Sequence, residues 1–265
     1  MSQLPRITVI TPSYNQGPFI DQTIQSVLSQ GYPNLEYIVL DGASTDNTLE
    51  VLKKYDGQLT WISEKDRGQS HAINKGFRMA TGEVVAFLNS DDLYLPGALQ
   101  TVGEYFASHP ASSWVTGRCR IIDQDNRVIR KGITHYKNLW LRFASYQTLQ
   151  ITNYVSQMAT FWRREVIEQV GEIDESLHYA MEYDFWLRIG RHYKLDVIDP
   201  YLACFRIHAS SKAGASASAQ FDIELGIIRR HAQSSLLFNL HRLHNAMIVA
   251  SYRQTLKREV GGSTA

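Results

Sequence analysis

Apolar runs that stop abruptly at polar clusters organise the first half of the chain. Ile7-Thr8-Val9-Ile10-Thr11, Tyr37-Ile38-Val39-Leu40, Leu59-Thr60-Trp61-Ile62 and Val84-Val85-Ala86-Phe87-Leu88 are rich in β-branched and aromatic residues, and each predicts a strand. The segments between them have helical spacing. Ile20, Ile24, Val27 and Leu28 share one helical face, Leu49 and Leu52 a second, and Ala72, Ile73, Gly76, Phe77 and Ala80 a third. Ser44 or Thr45 would cap the second of these helices. Alternating strands and helices predict right-handed crossovers, hence a largely parallel sheet with helices on both faces. Acids follow these strands: Asp41 after the second, Asp66 after the third, and Asn89-Ser90-Asp91-Asp92 after the fourth. They are expected to line one sheet edge, at the carboxyl ends, where open α/β sheets bind ligands.

The pattern then changes. Residues 114–123 alternate, turn at Asp125-Asn126 and return through 127–130 as an antiparallel hairpin, so the sheet becomes mixed. Residues 135–154 are irregular and aromatic, with Tyr136, Trp140, Phe143 and Tyr146, and read as a surface lid or an extra helix. Their rings suit either sugar stacking or ordinary packing. Another strand is expected over 158–162, a helix over 183–189, and two closing strands over 195–198 and 202–208. The small-residue stretch 213–219 reads as a mobile loop or linker. Beyond it, 221–260 reads as helix, with an apolar stripe of Leu236, Leu237, Leu240, Leu243, Met247 and Ile248 expected to dock on the parent domain; membrane-surface or partner contact is the alternative.

Composition narrows the functional classes. The 265 residues hold 27 Lys and Arg against 26 Asp and Glu, so overall charge does not point to nucleic acid. Cys119 and Cys204, the only cysteines, lie in strand-like contexts without metal-ligand spacing, which suits a reduced, cytoplasmic protein. The start of the chain leaves no room for a signal peptide before the first strand, and no apolar run approaches the roughly 20 residues needed to span a bilayer.

The adjacent carboxylates of Asp91 and Asp92 repel unless a cation or hydrogen-bond donors compensate them. Oxygen ligands beside an open groove suit Mg²⁺ or Mn²⁺ with a substrate diphosphate; alternatively, both acids cap the helix starting near Pro96. Glu182 falls at the positively polarised start of its helix, where it either stabilises that helix or acts as a general base. His208 ends the last predicted strand.

These motifs, in this order, resemble the inverting family-2 glycosyltransferases of the GT-A fold, especially bacterial polysaccharide-building enzymes. The resemblance runs from about residue 6 to 208 and rests on Thr11-Pro12-Ser13-Tyr14-Asn15, Asp41-Gly42-Ala43-Ser44-Thr45-Asp46, Asp66-Arg67-Gly68, Asn89-Ser90-Asp91-Asp92, Glu182-Tyr183-Asp184-Phe185-Trp186-Leu187-Arg188 and Arg206-Ile207-His208. It implies an α/β, Rossmann-like mixed sheet flanked by helices, a GT-A domain over 1–215 and a helical C-terminal extension over 216–265. It further implies that Thr11, Pro12, Tyr14, Asp41 and Asp66 hold the nucleotide, that Asn89 and Ser90 meet the ribose or diphosphate, and that Asp91, Asp92 and His208 bind Mn²⁺ or Mg²⁺. Glu182 takes the place of the catalytic base, with Asp184 as runner-up. The chain departs from the family pattern at two positions: Asn89 stands where an aspartate is usual, and Met181-Glu182 replaces Glu-Asp at the base.

The expected reaction is transfer of a sugar, with inversion, from a nucleoside-diphosphate donor, a UDP-sugar by family frequency, to a hydroxyl of a glycan or lipid-linked acceptor in cell-surface polysaccharide biosynthesis. No nucleic acid partner is expected, and the protein would sit in the cytoplasm or peripherally at the inner membrane face. A sugar nucleotidyltransferase would need a basic, glycine-rich first loop, whereas 12–18 contains no basic residue. A nucleotide-sugar or glycan binding module without turnover is favoured only by Asn89.

Overall fold

The computed structural model of the protein describes residues 3–209, 211 and 217–261. Four parallel strands form its first half: β1 (Ile7–Ser13), β2 (Leu35–Asp41), β3 (Thr60–Ser63) and β4 (Val84–Phe87). The helices between them are α1 (Ile20–Leu28), α2 (Thr48–Lys53) and α3 (Gln69–Met79). β1 pairs in parallel with both β2 and β4, and β2 with β3, as the apolar runs predict. Along β1 the pleat sends Ile7 and Val9 to one face, against Ile20, Ile24 and Val27 of α1, and Ile10 to the other, against Ile73 and Phe77 of α3. The sheet therefore has a core on each face.

The second half adds β5 (Leu93–Tyr94), α4 (Ala98–Ser108), β6 (Trp114–Ile122), β7 (Val128–Ile129), α5 (Lys131–Leu141), α6 (Tyr146–Ile151), β8 (Thr160–Arg163), α7 (Glu165–Val170), α8 (Met181–His192) and β9 (Asp196–Arg206). The strand order is β3-β2-β1-β4-β8-β6-β9-β5, with β7 beside β6 as the expected hairpin partner. β8 is antiparallel to β4 and β6, so the sheet is mixed, an α/β fold.

Three local expectations are corrected. The two closing strands are one strand, β9, which runs through Pro200 because its register against β6 slips beside Gly117. A Cβ on Gly117 would stand 2.5 Å from Leu202 Cγ, so only glycine admits this approach. Asp91 and Asp92 do not cap α4: β5 intervenes, and the helix starts at Gly97 with φ 80° and no side-chain cap. Nor do Ser44 and Thr45 cap α2; Asp46 accepts from the Thr48 N–H at 2.9 Å instead.

The C-terminal segment forms α9 (Ala217–His231) and α10 (Ser235–Gly261). Residues 213–216 of the small-residue stretch lie outside the described residues, while 217–219, expected as loop, begin α9. Ile227 and Ile228 of α9 are buried in the core around Trp114, Trp162 and Trp186. Asp184 accepts from His231 at 2.9 Å and from Arg188 at 2.9 Å. Burial alone would raise its pKa; those hydrogen bonds and charges outweigh it and hold the carboxyl below the ordinary value.

α10 reverses the expected docking. His241, His244 and Asn245 face inward, while Leu236, Leu240, Leu243 and Met247 face out. His241 stacks on Tyr183, with ring centroids 5.8 Å apart, and accepts at Nε2 from Asn245 Nδ2 at 2.9 Å; His244 stacks on Tyr136. This inward face also fills the aromatic segment: Tyr136 and Trp140 pack on His244, and Tyr146 lies over Gly190. Those three rings are packing elements, whereas Phe143 is exposed.

Burial, and then the neighbouring His244, lower the His241 pKa to about 4 from an ordinary 6.5. The unfolded chain thus takes up the proton first, so stability is complete above pH 6.5 and falls as the pH is lowered from 6.5 towards 4. Denaturant unfolding at pH 7 and at about pH 4.5 is expected to show a loss of about 2 kcal/mol through this group, because one proton taken up only by the unfolded chain costs ~1.4 kcal/mol for every tenfold rise in acidity. His241→Gln should remove that part of the acid sensitivity. An unchanged pH profile in the variant would contradict the assignment.

Candidate active site

Three strands end side by side: Ser13 of β1 pairs with Asp41 of β2, and Asp41 with Ser63 of β3. The buried Asp41 carboxylate accepts from the Ser44 N–H at 2.9 Å, the Ser63 hydroxyl at 2.6 Å and the Ser44 hydroxyl. Ser44 in turn holds the first loop, since the Asn15 N–H donates to Ser44 Oγ at 2.7 Å while Asn15 Oδ1 accepts from the Thr45 N–H at 2.8 Å. Asn15 takes a left-handed φ of 51°, which asparagine tolerates better than most residues. Gly17 N–H donates to Asp46 at 2.9 Å. The little burial Asp46 has would raise its pKa, but hydrogen bonds from Thr48 and Gly17 lower it on balance.

The first two loops are thus zipped into one wall, from which Tyr14 projects into solvent. Thr11 differs from its sequence-based expectation: it is fully buried and its hydroxyl bonds Tyr37 Oη at 3.0 Å, so it anchors β1 instead of lining the cleft. Pro12 is buried as well. Asp66 reaches the same wall, since a Cβ on Gly42 would lie 2.9 Å from Asp66 Oδ2. Its other oxygen accepts from the Gly68 N–H at 2.8 Å, just before α3. A cleft lined by Asp41, Asp66, Glu64, His71 and Lys75 opens here.

The opposite wall follows β4. Asn89 Oδ1 accepts from Gln69 Nε2 at 2.7 Å, and its amide nitrogen donates to Asp92 Oδ2 at 3.1 Å and Gln157 Oε1 at 3.4 Å. An asparagine at 89 therefore satisfies a buried carboxylate that a second aspartate would repel. Ser90 is buried, and its carbonyl accepts from the Thr23 hydroxyl at 2.9 Å.

Asp92 does not face the cleft, which corrects the expectation that it binds metal. It is fully buried and accepts from the Arg206 N–H at 2.8 Å; burial, and then the charge of Asp91, push its pKa well up. The Arg206 guanidinium is buried too. Its Nε donates to the Asp91 carbonyl at 2.7 Å, Nη1 to Asn126 Oδ1 at 2.7 Å and Nη2 to Gln22 Oε1 at 3.0 Å. This grip leaves the partly exposed Asp91 carboxylate at the surface, where Oδ2 meets His208 Nε2 at 3.0 Å.

Among the described residues, no group of three or more His, Cys, Asp or Glu side chains could enclose a metal ion. The Asp91–His208 pair nevertheless fits a divalent cation that completes its shell with water and substrate phosphate, the usual habit of Mg²⁺, and Mn²⁺ accepts the imidazole nitrogen readily.

The start of α8 meets the start of α3. Ser70 Oγ, in the first turn of α3, donates to Met181 Sδ at 2.8 Å, beside the Gln69–Asn89 bond. One helix end thus ties the Asn89 loop to the segment carrying Glu182. Before Glu182, Ala180 holds φ at 54°, a conformation costly for alanine. Glu182 is half-buried in the first turn of α8, and Asp184 is turned away into the α9 contact, which removes it as the alternative base. Burial lowers the Lys137 pKa while Cys119, Glu182 and Glu224 oppose this, so Lys137 stands within electrostatic reach of the glutamate. Sequence patterns do not single out Gln69, Gln157 or Lys137. Gln69 directly follows the Asp66-Arg67-Gly68 motif, whereas Gln157 and Lys137 carry no local signal.

Comparison with known proteins agrees with this arrangement. The profile of Glycosyl transferase family 2 matches residues 8–171. An uncharacterised glycosyltransferase of Nostoc sp. is 31% identical over 231 residues, covering 83% of this chain and 70% of the relative. The chondroitin synthase of Escherichia coli is 26% identical over 193 residues, 72% of this chain and 27% of that protein. Among solved structures, Staphylococcus aureus TarS residues 1–349 with UDP-GlcNAc aligns at TM-score 0.68 and 17% identity, covering 89% of this chain and 70% of that one. The mannosyltransferase PcManGT of Pyrobaculum calidifontis with GDP-Man and Mn²⁺ aligns at 0.71 and 21%, over 92% and 70%. The strand-end cleft thus sits in a GT-A fold, and the chain belongs to glycosyltransferase family 2, enzymes that use nucleotide-sugar donors.

Proposed function

We propose that the protein transfers a sugar, with inversion, from a nucleoside-diphosphate donor to a hydroxyl of a glycan or lipid-linked acceptor during cell-surface polysaccharide assembly. The observation that supports this reading is the chain of contacts around the start of α3, where Asp66 accepts from the Gly68 N–H, Gln69 bonds Asn89 two residues before Asp91 and its partner His208, and Ser70 bonds Met181 next to Glu182. Uridine diphosphate is the expected carrier, and TarS, which shares the fold, has been solved with UDP-GlcNAc.

In this reading Tyr14, Asp41 and Asp66 receive the base, and Asn89 and the Ser90 backbone meet the ribose or diphosphate. Asp91 and His208 hold the divalent cation, which when bound would offset charge growing on the leaving diphosphate. Glu182 takes the proton from the attacking hydroxyl on the face opposite the leaving group, so no covalent intermediate is needed. We place the protein on the cytoplasmic side; none of its described helices is long and apolar enough to cross a membrane.

Glu182→Gln is expected to lower turnover by roughly 10²–10⁴-fold, with nucleotide affinity by calorimetry nearly unchanged. Retained turnover would end the base assignment. His208→Ala should weaken Mn²⁺ binding by at least about tenfold, the scale seen when even an outer partner of a metal ligand is lost. Manganese titration followed by electron paramagnetic resonance measures this, and equal affinity in the variant would remove His208 from the metal site.

A further inference from the structure

α10 carries apolar side chains on both sides, yet the fold covers only one. Leu237, Phe238 and Ile248 are half-buried with His241, His244 and Asn245 on the inward side. On the other side Leu236, Leu240, Leu243 and Met247 are 66%, 38%, 59% and 58% exposed. Their spacing of four, three and four residues makes one continuous stripe. α5, whose Tyr136 and Trp140 contact His244, widens the apolar surface of this region with exposed Leu139, and Phe143 just beyond its end is exposed as well.

Charge indicates what covers the stripe. From Leu225 to Arg258 the sequence contains no aspartate or glutamate, but it contains Arg229, Arg230, Arg242, Arg253, Lys257 and Arg258; of these, Arg230 is paired with Asp174 and Asp184 of the domain. The whole chain carries a formal charge of only +1, so the excess is local. Arg242 is exposed beside the stripe. A second copy docking face to face would bring two such acid-free helices together, and like charges would oppose the pairing. An anionic surface is the complementary partner. The helix has 27 residues, about 40 Å at 1.5 Å per residue, and is not apolar enough to span a membrane, so it suits a position flat on a surface.

We propose that the outward face of α10 docks on an anionic lipid bilayer, with the leucines and Met247 entering the headgroup boundary and the exposed Arg242 beside them meeting lipid phosphates. The proposal stands apart from the donor chemistry, and its test needs no enzymatic activity. The 265-residue chain is floated with vesicles of phosphatidylcholine alone or with about one third phosphatidylglycerol. Binding is expected to the anionic vesicles only, and to weaken as salt rises. Leu243→Ser with Met247→Ser should cut it by about tenfold or more, and Arg242→Glu should reduce it further at low salt.

These side chains face solvent, so circular dichroism should be unchanged in the variants. Absence of binding to anionic vesicles at low salt would overturn the proposal, as would equal binding by the serine variant. It would likewise be overturned by self-association, measured by sedimentation, that the serine variant abolishes while vesicle binding persists.

Discussion

A buried guanidinium holds the candidate catalytic loop in place. Arg206 has lost water on every side, and its donors are met by a carbonyl at Asp91, the amide oxygen of Asn126 and that of Gln22. A charge withdrawn from solvent is tolerable only while such acceptors remain, so β9, the β6–β7 turn, α1 and the Asp91 loop must keep one arrangement. The backbone of the same residue holds the Asp92 carboxylate. Adjacent acids then take opposite directions: Asp92 enters the interior and Asp91 remains at the surface beside His208. Two carboxylates that would repel in one site are thereby kept apart, one buried against the Arg206 backbone and one beside His208.

The rest of the site is assembled by hydrogen bonds and close contacts at helix and strand ends, some to carboxylates such as Asp41 and others between neutral groups. Ser44 joins the first two loops, Asp66 sits against Gly42, and the first turn of α3 touches Asn89 through Gln69 and Met181 through Ser70. The neutral bonds among them are weak alone, since such a pair contributes only about 0.5–1.5 kcal/mol. Together they set the relative position of two walls that come from distant parts of the chain.

Much of this was legible in the sequence. The first four strands and the polar residues at their ends are visible because apolar runs and turn formers are local signals. Their convergence follows from the handedness of β-α-β units. The direction of a side chain is set by partners far along the chain and was not legible. Thr11, Asp92 and Asp184 have the residue types a site requires, yet their atoms are bound by Tyr37, Arg206 and His231. The continuity of β9 through Pro200 was hidden because a proline reads as a break. The stripe on α10 was visible in its spacing, but periodicity cannot say which face meets the domain, and here buried histidines occupy the docked side.

Hydrogen exchange in the presence and absence of UDP with Mn²⁺ tests the single cleft most directly. Segments 11–17, 41–46, 66–70, 89–92 and 181–186 should gain protection together, at the same ligand concentration, because one bound molecule would touch both walls. Protection confined to one wall, or appearing on the two walls at different concentrations, would contradict a shared donor site.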